Sequence, residues 1–284
     1  MATIVLGIAF GNEGNSKLVG ILSNDVKLWA RAQGGHNARH TAVANGVSSS
    51  NTLRSCSTFD FGTYASVSSS NTGLGGIFTA LALDPRKFDH IIGVIEACST
   101  RVGLGHLPTQ LFDADSKKLQ KLGHEVRVST GRPRRCGWPD LMVIKHSRAI
   151  NPYTSLNLIK LEILDTFPFI IAYKNPRTDE DVPSFPADQK LLESVEVVCK
   201  ELECWNTPTT SVTSYYGAPL NARKYIELIK EFVGVKIGWI GTSPEREDMI
   251  IRMVTTSSFA NRELVNHAVH MHITPRPCGH RDVR

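Results

Sequence analysis

An α/β fold with a mostly parallel central sheet flanked by helices is predicted by three features of the sequence. Apolar, β-branched runs such as Thr3–Phe10 and His90–Cys98 are typical of buried strands. Segments with apolar residues at helical spacing alternate with them, and Leu220–Gly234 is the clearest of these. Glycine-rich turns separate the two kinds of segment. Strands that alternate with helices in this way form parallel sheets, with ligands at the carboxyl ends of the strands.

The first part of the chain predicts a strand, a helix and a hairpin. Lys17–Asn24 follows the first strand with helical spacing, and Val26–Ala32 looks like a second strand. Asn45-Gly46 is the dipeptide most typical of a two-residue hairpin turn. Ser48–Thr58 is rich in serine and threonine with almost no apolar periodicity. We expect a linker, a disordered insert or a deletion junction over residues 48–58.

The second part of the chain supplies more helices. Asp113 or Asp115 is expected to cap a short helix within Asp113–Val126. In the helix predicted for Asp140–Ile150 the residues that share a face are Leu141, Ile144 and Ala149. In the helix of Leu220–Gly234 they are Tyr225, Leu228, Ile229 and Phe232.

Four further strand candidates are Ser155–Leu164, Phe167–Lys174, Val195–Glu203 and Val235–Ser243. The last segment, Met253–Arg284, has little periodicity and holds a cluster of histidines with Cys278. That cluster lacks a standard metal-ligand spacing. We therefore expect residues 1–252 to form a single domain and residues 253–284 to form an unstructured tail.

Composition narrows the class of protein. The net charge is only +5 and its charges are mixed along the chain, which argues against a nucleic-acid binder and suits an enzyme of anionic small molecules. The six cysteines form no CxxC pair, so neither a disulfide framework nor a zinc ribbon is indicated. No apolar run reaches the ~18 residues of a membrane span. These observations predict a cytoplasmic protein without a membrane partner.

Gly11–Lys17, "GNEGNSK", is an imperfect phosphate-binding loop. A P-loop has glycine, four residues, glycine, lysine and then serine or threonine, whereas this segment has serine at the second glycine position. Amide groups at a helix start hold phosphate whatever the side chains, and Lys17 adds a positive charge. An ordinary turn without a ligand is the alternative.

Gly34–Thr41, "GGHNARHT", is a second polar segment. His40 is a candidate general acid. The spacing of His36 and His40 also suggests a metal pair, although no helical periodicity supports one. A solvated loop is the alternative.

Val128–Asp140, "VSTGRPRRCGWPD", holds three arginines in a turn-rich loop. Arginine binds carboxylates and phosphates with two hydrogen bonds, so the sequence predicts one anion-binding cluster. A basic surface patch is the alternative.

Lys160–Glu162 ends a strand-like run. A carboxylate at this position can accept hydrogen bonds from the N1–H and N2–H groups of guanine. A solvated charge pair is the alternative. Gly241–Asp248 is another turn at a strand end.

These segments, in this order, resemble adenylosuccinate synthetase, particularly its fungal members. The matching pieces are "GNEGNSK" (family pattern GDEGKGK), "GGHNARHT" (GGHNAGHT), "STGRPRRCGWPD" (TTGRKRRCGWLD), "KLEILD" (KLDILD) and "WIGTSPERED" (WIGTGPGRED). The resemblance covers roughly Met1–Val47 and Phe59–Arg252. It implies Mg²⁺-dependent ligation of IMP and L-aspartate with GTP as co-substrate, by a homodimer, in AMP biosynthesis. A loop aspartate serves as base and a loop histidine as acid, and IMP carries the γ-phosphate before the aspartate amine displaces it.

The resemblance assigns site residues to this chain. The catalytic positions are Asn12, where the family has its base, and the acid His40. The implied GTP-binding residues are Gly11, Asn12, Glu13, Gly14, Asn15, Ser16, Lys17, Arg134, Lys160, Leu161, Glu162, Gly241, Thr242 and Ser243. The implied IMP-binding residues are Asn37, Ala38, Arg39, His40, Ser68 and Arg132. The implied aspartate-binding residues are Val128, Ser129, Thr130, Gly131, Arg132, Pro133 and Arg134. The implied Mg²⁺ ligands are Asn12 and the backbone carbonyl of Arg39.

The chain departs from the family pattern at several of these positions. Asn12 replaces the catalytic aspartate, Asn15 a lysine and Ser16 a glycine, and Glu162 is longer than the aspartate of the family. Between Val47 and Phe59 family members carry well over a hundred more residues, including IMP contacts and much of the dimer surface. Three hypotheses follow: an active synthetase, an inactive homologue (a pseudoenzyme) that at most binds GTP or IMP, and a truncated product without function.

Overall fold

The computed structural model describes residues 2–8, 13–22, 40–44, 47–51, 73–81, 84–101, 105–126, 131–165, 172–174, 182, 184–186, 189–198, 202–245 and 247–252. The chain divides into a unit of residues 1–252 and a unit of residues 253–284, and the second, where we expect a tail, lies outside the described residues. The strands are β1 (Ala2–Gly7), β2 (His40–Ala44), β3 (Val47–Asn51), β4 (Phe88–Glu96), β5 (Ser99–Arg101), β6 (Arg135–Gly137), β7 (Ser155–Ile159), β8 (Ala172–Lys174), β9 (Glu196–Val198), β10 (Ile237–Gly241) and β11 (Met249–Ile251). The helices are α1 (Asn15–Leu22), α2 (Leu74–Leu81), α3 (Ala114–Leu122), α4 (Leu141–Ile150), α5 (Gln189–Ser194) and α6 (Leu220–Val233).

The main sheet confirms the predicted α/β class. Its strand order is β1-β4-β7-β10-β11. The first four strands are parallel, and β11 pairs antiparallel with β10. The carboxyl ends of β1, β4, β7 and β10 therefore meet at one edge, where ligands of such sheets bind.

The two faces of the sheet are covered by different helices. Successive side chains of a strand point to opposite faces, so neighbouring residues of β7 enter different clusters. Leu158 packs in the main core with Tyr225 of α6. Ile159 packs on the other face with Leu18 of α1. The hydroxyl of Tyr225 also donates a hydrogen bond to the carbonyl of Ala97 at 3.1 Å, which ties α6 to the end of β4.

The helix ends follow the local sequence. Asp113 caps α3 by accepting hydrogen bonds from the amides of Asp115 and Ser116, as predicted. Gly234 ends α6 with φ of 70°, a left-handed conformation that glycine adopts without strain. In α4, Leu141 and Ile144 are buried whereas Ala149 is exposed, so the prediction that all three share a face is wrong for Ala149.

The structure revises two other predicted segments. The strand predicted for Ser155–Leu164 ends at Ile159, because Lys160 turns the chain into a 3-10 helix over Leu161–Leu164. Ser48–Asn51, the start of the expected linker, lies in β3, which pairs antiparallel with β2 on the other side of the predicted Asn45-Gly46 turn. The rest of the linker, the strand predicted for Val26–Ala32 and residues 167–171 of another lie outside the described residues.

Candidate functional site: the carboxyl edge of the sheet

The first loop approaches the sheet closely before α1 begins. Gly14 has φ of +62°, and a Cβ atom there would lie 2.6 Å from Cδ1 of Ile159. A larger residue would be strained and crowded at this position. Glu13 is buried, and Asn15 begins α1 with a buried side-chain oxygen that has no hydrogen-bond partner among the described residues.

Lys17 joins this loop to the turn after β10. Its Nζ donates hydrogen bonds to the carbonyl oxygens of Ser243 at 2.6 Å and Asp248 at 3.0 Å. The Ser243 hydroxyl in turn donates to the Asp248 carboxylate at 2.5 Å. Burial lowers the pKa of Lys17, although the nearby Glu162 and Asp248 carboxylates raise it. The structure thus brings together two segments from opposite ends of the domain that the sequence assigned to one nucleotide.

Lys160 and Glu162 follow β7 at the same edge. Lys160 has φ of 60°, and its Nζ lies 2.9 Å from Oε1 of Glu96 and also contacts Oε1 of Glu125. Burial lowers the pKa of Lys160, but attraction to Glu96 and Glu125 outweighs it and the pKa is raised. Glu162 has a buried Oε2 without a hydrogen-bond partner among the described residues. Burial raises the pKa of Glu162, although the positive charges of Lys17 and Lys160 lower it.

The three arginines of the anion-binding loop do not form one cluster. Arg132 is exposed, whereas Arg134 donates through Nη1 to Oε2 of Glu125 at 2.7 Å. Arg135 instead contacts Gln110 and the carbonyl of Gly105. Adjacent residues of an extended chain point in opposite directions, which separates Arg134 from Arg135. The prediction of a single three-arginine cluster is therefore wrong.

Two acidic residues of this site were not predicted from the sequence. Glu96 is the last residue of β4, and burial raises its pKa to about 7, while Lys160 lowers it and Glu125 raises it. Glu125 follows α3 and its side chain has 0% exposure. A carboxylate at the end of an apolar strand was a usable signal for Glu96. Nothing in the sequence around Glu125 marked it.

Several predicted site residues lie outside the described part of the chain. They are Gly11, Asn12, Asn37, Ala38, Arg39, Ser68, Val128, Ser129 and Thr130. His40 begins β2 and pairs with Asn51 through the backbone, and its side chain and that of Ser16 are not described. The described part of the predicted site therefore consists of residues that the resemblance assigns to the guanine nucleotide, together with Gly131, Arg132, Pro133 and Arg134 of the loop that it assigns to aspartate.

Neither the two residues that the resemblance assigns to Mg²⁺ nor the acidic cluster among the described residues suits this ion. Asn12 and the backbone carbonyl of Arg39 carry no negative charge, and the arginine adds a positive one, whereas Mg²⁺ is bound by carboxylates and phosphates. Glu96, Cys98 and Glu125 bring three ligand atoms within 4.8 Å of one another. However, the Lys160 ammonium already contacts both carboxylates, and a thiol is a poor ligand for Mg²⁺.

Among the described helices, none combines the length and the apolar character needed to cross a membrane.

Comparison with known proteins identifies relatives of this chain. The family model for adenylosuccinate synthetase matches residues 4–58 and 54–250. Adenylosuccinate synthetase of Neurospora crassa is 59% identical over 196 residues, which cover 68% of this chain and 46% of the relative. The Saccharomyces cerevisiae protein is 49% identical over 194 residues, covering 67% of this chain and 44% of the relative.

A solved structure agrees with the sequence comparisons. The fully ligated adenylosuccinate synthetase from Plasmodium falciparum matches with a TM-score of 0.65 and 34% identity, covering 68% of this chain and 47% of that one. The chain spans about half the length of the curated relatives that it matches. The chain belongs to the adenylosuccinate synthetase family.

Proposed function

We propose that the chain binds a guanine nucleotide at the carboxyl edge of its sheet and has lost most of the ligase activity of its family. The observation that carries the binding proposal is the buried Oε2 of Glu162, which has no hydrogen-bond partner among the described residues. Buried acceptor oxygens are almost always paired. The N1–H and N2–H groups of guanine are donors that would satisfy this carboxylate.

Lys17 supports a phosphate position at the other end of the nucleotide. An ammonium group has three N–H donors, and two of them bind the carbonyls of Ser243 and Asp248. No third partner of this ammonium lies among the described residues, so we propose that its remaining N–H group donates to a phosphate oxygen, beside the first amides of α1, where anions are favoured. We therefore propose that the phosphates lie between α1 and the turn after β10.

The loss of ligase activity rests on the absent block of residues and on the sequence at the catalytic loop. The amide of Asn12 does not accept a proton, and a positioned base contributes roughly 10²–10⁴-fold to a rate. Asn15 also lacks the charge of the lysine that the family pattern has there. We further propose IMP and L-aspartate as ligands, with Arg132 and Arg134 at the aspartate. We propose no residue of this chain as a ligand of Mg²⁺.

We also propose that residues 1–252 form the synthetase-like domain and that residues 48–58 mark the place of an absent block. The family model matches in two segments, 4–58 and 54–250, that meet at residues 54–58, which supports this. Scattered cysteines suit the reducing conditions of the cytoplasm, which we propose as its location.

Two measurements on the purified full chain test this function. With IMP, L-aspartate, GTP and Mg²⁺ we expect no adenylosuccinate, and turnover close to that of an ordinary enzyme would overturn the proposed inactivity. Titration calorimetry with GDP is expected to show binding by a protein that melts cooperatively. Absence of GDP binding would overturn the nucleotide site and favour a product without function.

An active synthetase is the second candidate, favoured by 59% identity to the Neurospora crassa protein and by the retained His40. The double variant Asn12→Asp with Asn15→Lys restores the two charged side chains of the catalytic loop. It does not restore the block of residues that is absent between Val47 and Phe59. We expect no recovery of activity. Recovery would show that the loop alone limits the reaction and that the deletion is tolerated.

A further inference from the structure

Glu125 binds two cations at once. Its Oε2 accepts a hydrogen bond from Nη1 of Arg134 at 2.7 Å, and its Oε1 contacts the ammonium of Lys160. The Glu125 side chain has 0% exposure, and those of Arg134 and Lys160 have 11% and 21%. A buried carboxylate with a different cation on each oxygen restricts both cations strongly.

The two cations come from different functional segments. Arg134 ends the loop assigned to aspartate, and Lys160 begins the segment assigned to guanine. The backbone reinforces the first connection, since the amide of Arg134 donates to the carbonyl of Glu125 at 2.8 Å. Gln120 of α3 donates to the carbonyl of Arg134 at 2.6 Å. A shift of the aspartate loop would therefore move the carboxylate that holds Lys160.

The ammonium of Lys160 contacts two carboxylates, at a point where the backbone conformation is unusual. The φ of 60° at Lys160 is rare for a residue other than glycine, and such conformations persist where the surroundings hold them in place. Glu96 lies 2.9 Å from the Lys160 ammonium and makes no hydrogen bond or ion pair with Arg134 among the described residues. Glu96 thus touches one of the two segments, whereas Glu125 touches both.

We propose that Glu125 is a positioning residue that holds Arg134 and Lys160 together and so couples dicarboxylate binding to guanine-nucleotide binding. This inference rests on the proposed nucleotide and aspartate sites. Coupling between two sites is reciprocal, so each ligand must raise the affinity for the other by the same factor.

The test is calorimetric titration of the full chain with GDP and L-aspartate, each alone and with the other at saturation. We expect wild type to bind each ligand more tightly in the presence of the other. Glu125→Gln is expected to weaken both ligands by roughly 10–100-fold, as loss of residues that orient binding groups does elsewhere, and to abolish the coupling. Glu96→Gln is the matched control, expected to weaken GDP and leave the affinity for L-aspartate unchanged.

A purely structural role for Glu125 predicts a lower melting temperature without loss of coupling. Unchanged affinities and coupling in Glu125→Gln would overturn the inference. Tighter binding would overturn it too, because Glu125 would then compete with the ligands. If Glu125→Gln does not fold, Glu125→Asp keeps the charge but cannot span both cations, and retained coupling in that variant contradicts the proposal. Wild type that binds GDP without coupling overturns this inference alone, whereas wild type that binds no GDP overturns the proposed function as well.

Discussion

The ammonium of Lys17 lies 2.6 Å from the carbonyl oxygen of Ser243, a residue 226 positions further along the chain. This hydrogen bond connects the start of α1 to the turn after β10. Both segments lie at the carboxyl edge of a parallel sheet, because β1 and β10 run in the same direction. Sheet topology therefore turns two distant motifs into neighbours.

Replacing Lys17 by methionine is expected to weaken GDP binding. The variant keeps an apolar stem of similar length but loses the donors to Ser243, Asp248 and the proposed phosphate. A hydrogen bond to a charged group contributes about 1.5–3 kcal/mol, so we expect a loss of affinity of this size by calorimetry. Lys17→Arg is the control, expected to lose less because it keeps the charge. Equal affinities of wild type and Lys17→Met would remove the phosphate position from this site.

Replacing Glu162 by glutamine is expected to change the base preference. The glutamine amide cannot accept both donors of guanine, but its N–H group can donate to the C2 carbonyl of xanthine. GDP should therefore bind more weakly, and the ratio of xanthosine diphosphate to GDP affinity should rise. Glu245→Gln, at an exposed glutamate of the turn after β10, should leave that ratio unchanged. A ratio that is the same in Glu162→Gln and wild type would contradict a base-recognising role.

Replacing Gly14 by alanine is expected to destabilise the fold for two separable reasons. Its φ of +62° costs a residue with a Cβ roughly 1–2 kcal/mol, and the new Cβ would lie 2.6 Å from Cδ1 of Ile159. Gly131→Ala isolates the first cost, because Gly131 has φ of +64° and open space around its Cβ position. Ile159→Val removes the clashing methyl group and should relieve the second cost. Urea unfolding of these variants tests both, and equal losses in Gly14→Ala and Gly131→Ala would exclude the steric contribution.

The stability contribution of Glu96 is expected to fall as the pH rises. Burial raises the pKa of Glu96 from 4.5 to about 7 in a cluster with Lys160, Glu125 and Glu13, so the folded protein holds its proton more tightly than the unfolded chain. This contribution is fully present below pH 4.5 and is lost between there and pH 7, with a slope of at most about 1.4 kcal/mol per pH unit. The variant Glu96→Gln has no titratable group at this position.

The free energy of unfolding of wild type should therefore decrease relative to that of Glu96→Gln as the pH rises from 5 to 7. Urea unfolding at several pH values measures this difference. Parallel curves for the two proteins would show that Glu96 titrates with an ordinary pKa.

Local patterns predicted most of the main sheet and the helices on it. The strand at His90–Cys98, the cap at Asp113 and the amphipathic helix that ends at Gly234 appear where the sequence indicates them. These features depend on neighbouring residues, through alternation, capping and turn chemistry. The error at Lys160 has a different origin: a lysine with φ of 60° ends the strand, and its side chain contacts carboxylates that come from other elements.

The sequence by itself determined the α/β class, the family resemblance and the absence of a carboxylate at Asn12. Each of these depends only on which residues occur and in what order, so no contact between distant segments is needed to recognise it. Only the tertiary structure decided that Lys17 reaches Ser243, that Arg134 and Arg135 diverge, and that Glu125 stands between Arg134 and Lys160. The physical reason is that a charge is positioned by its partners, and those partners come from elements that only the folded sheet brings together.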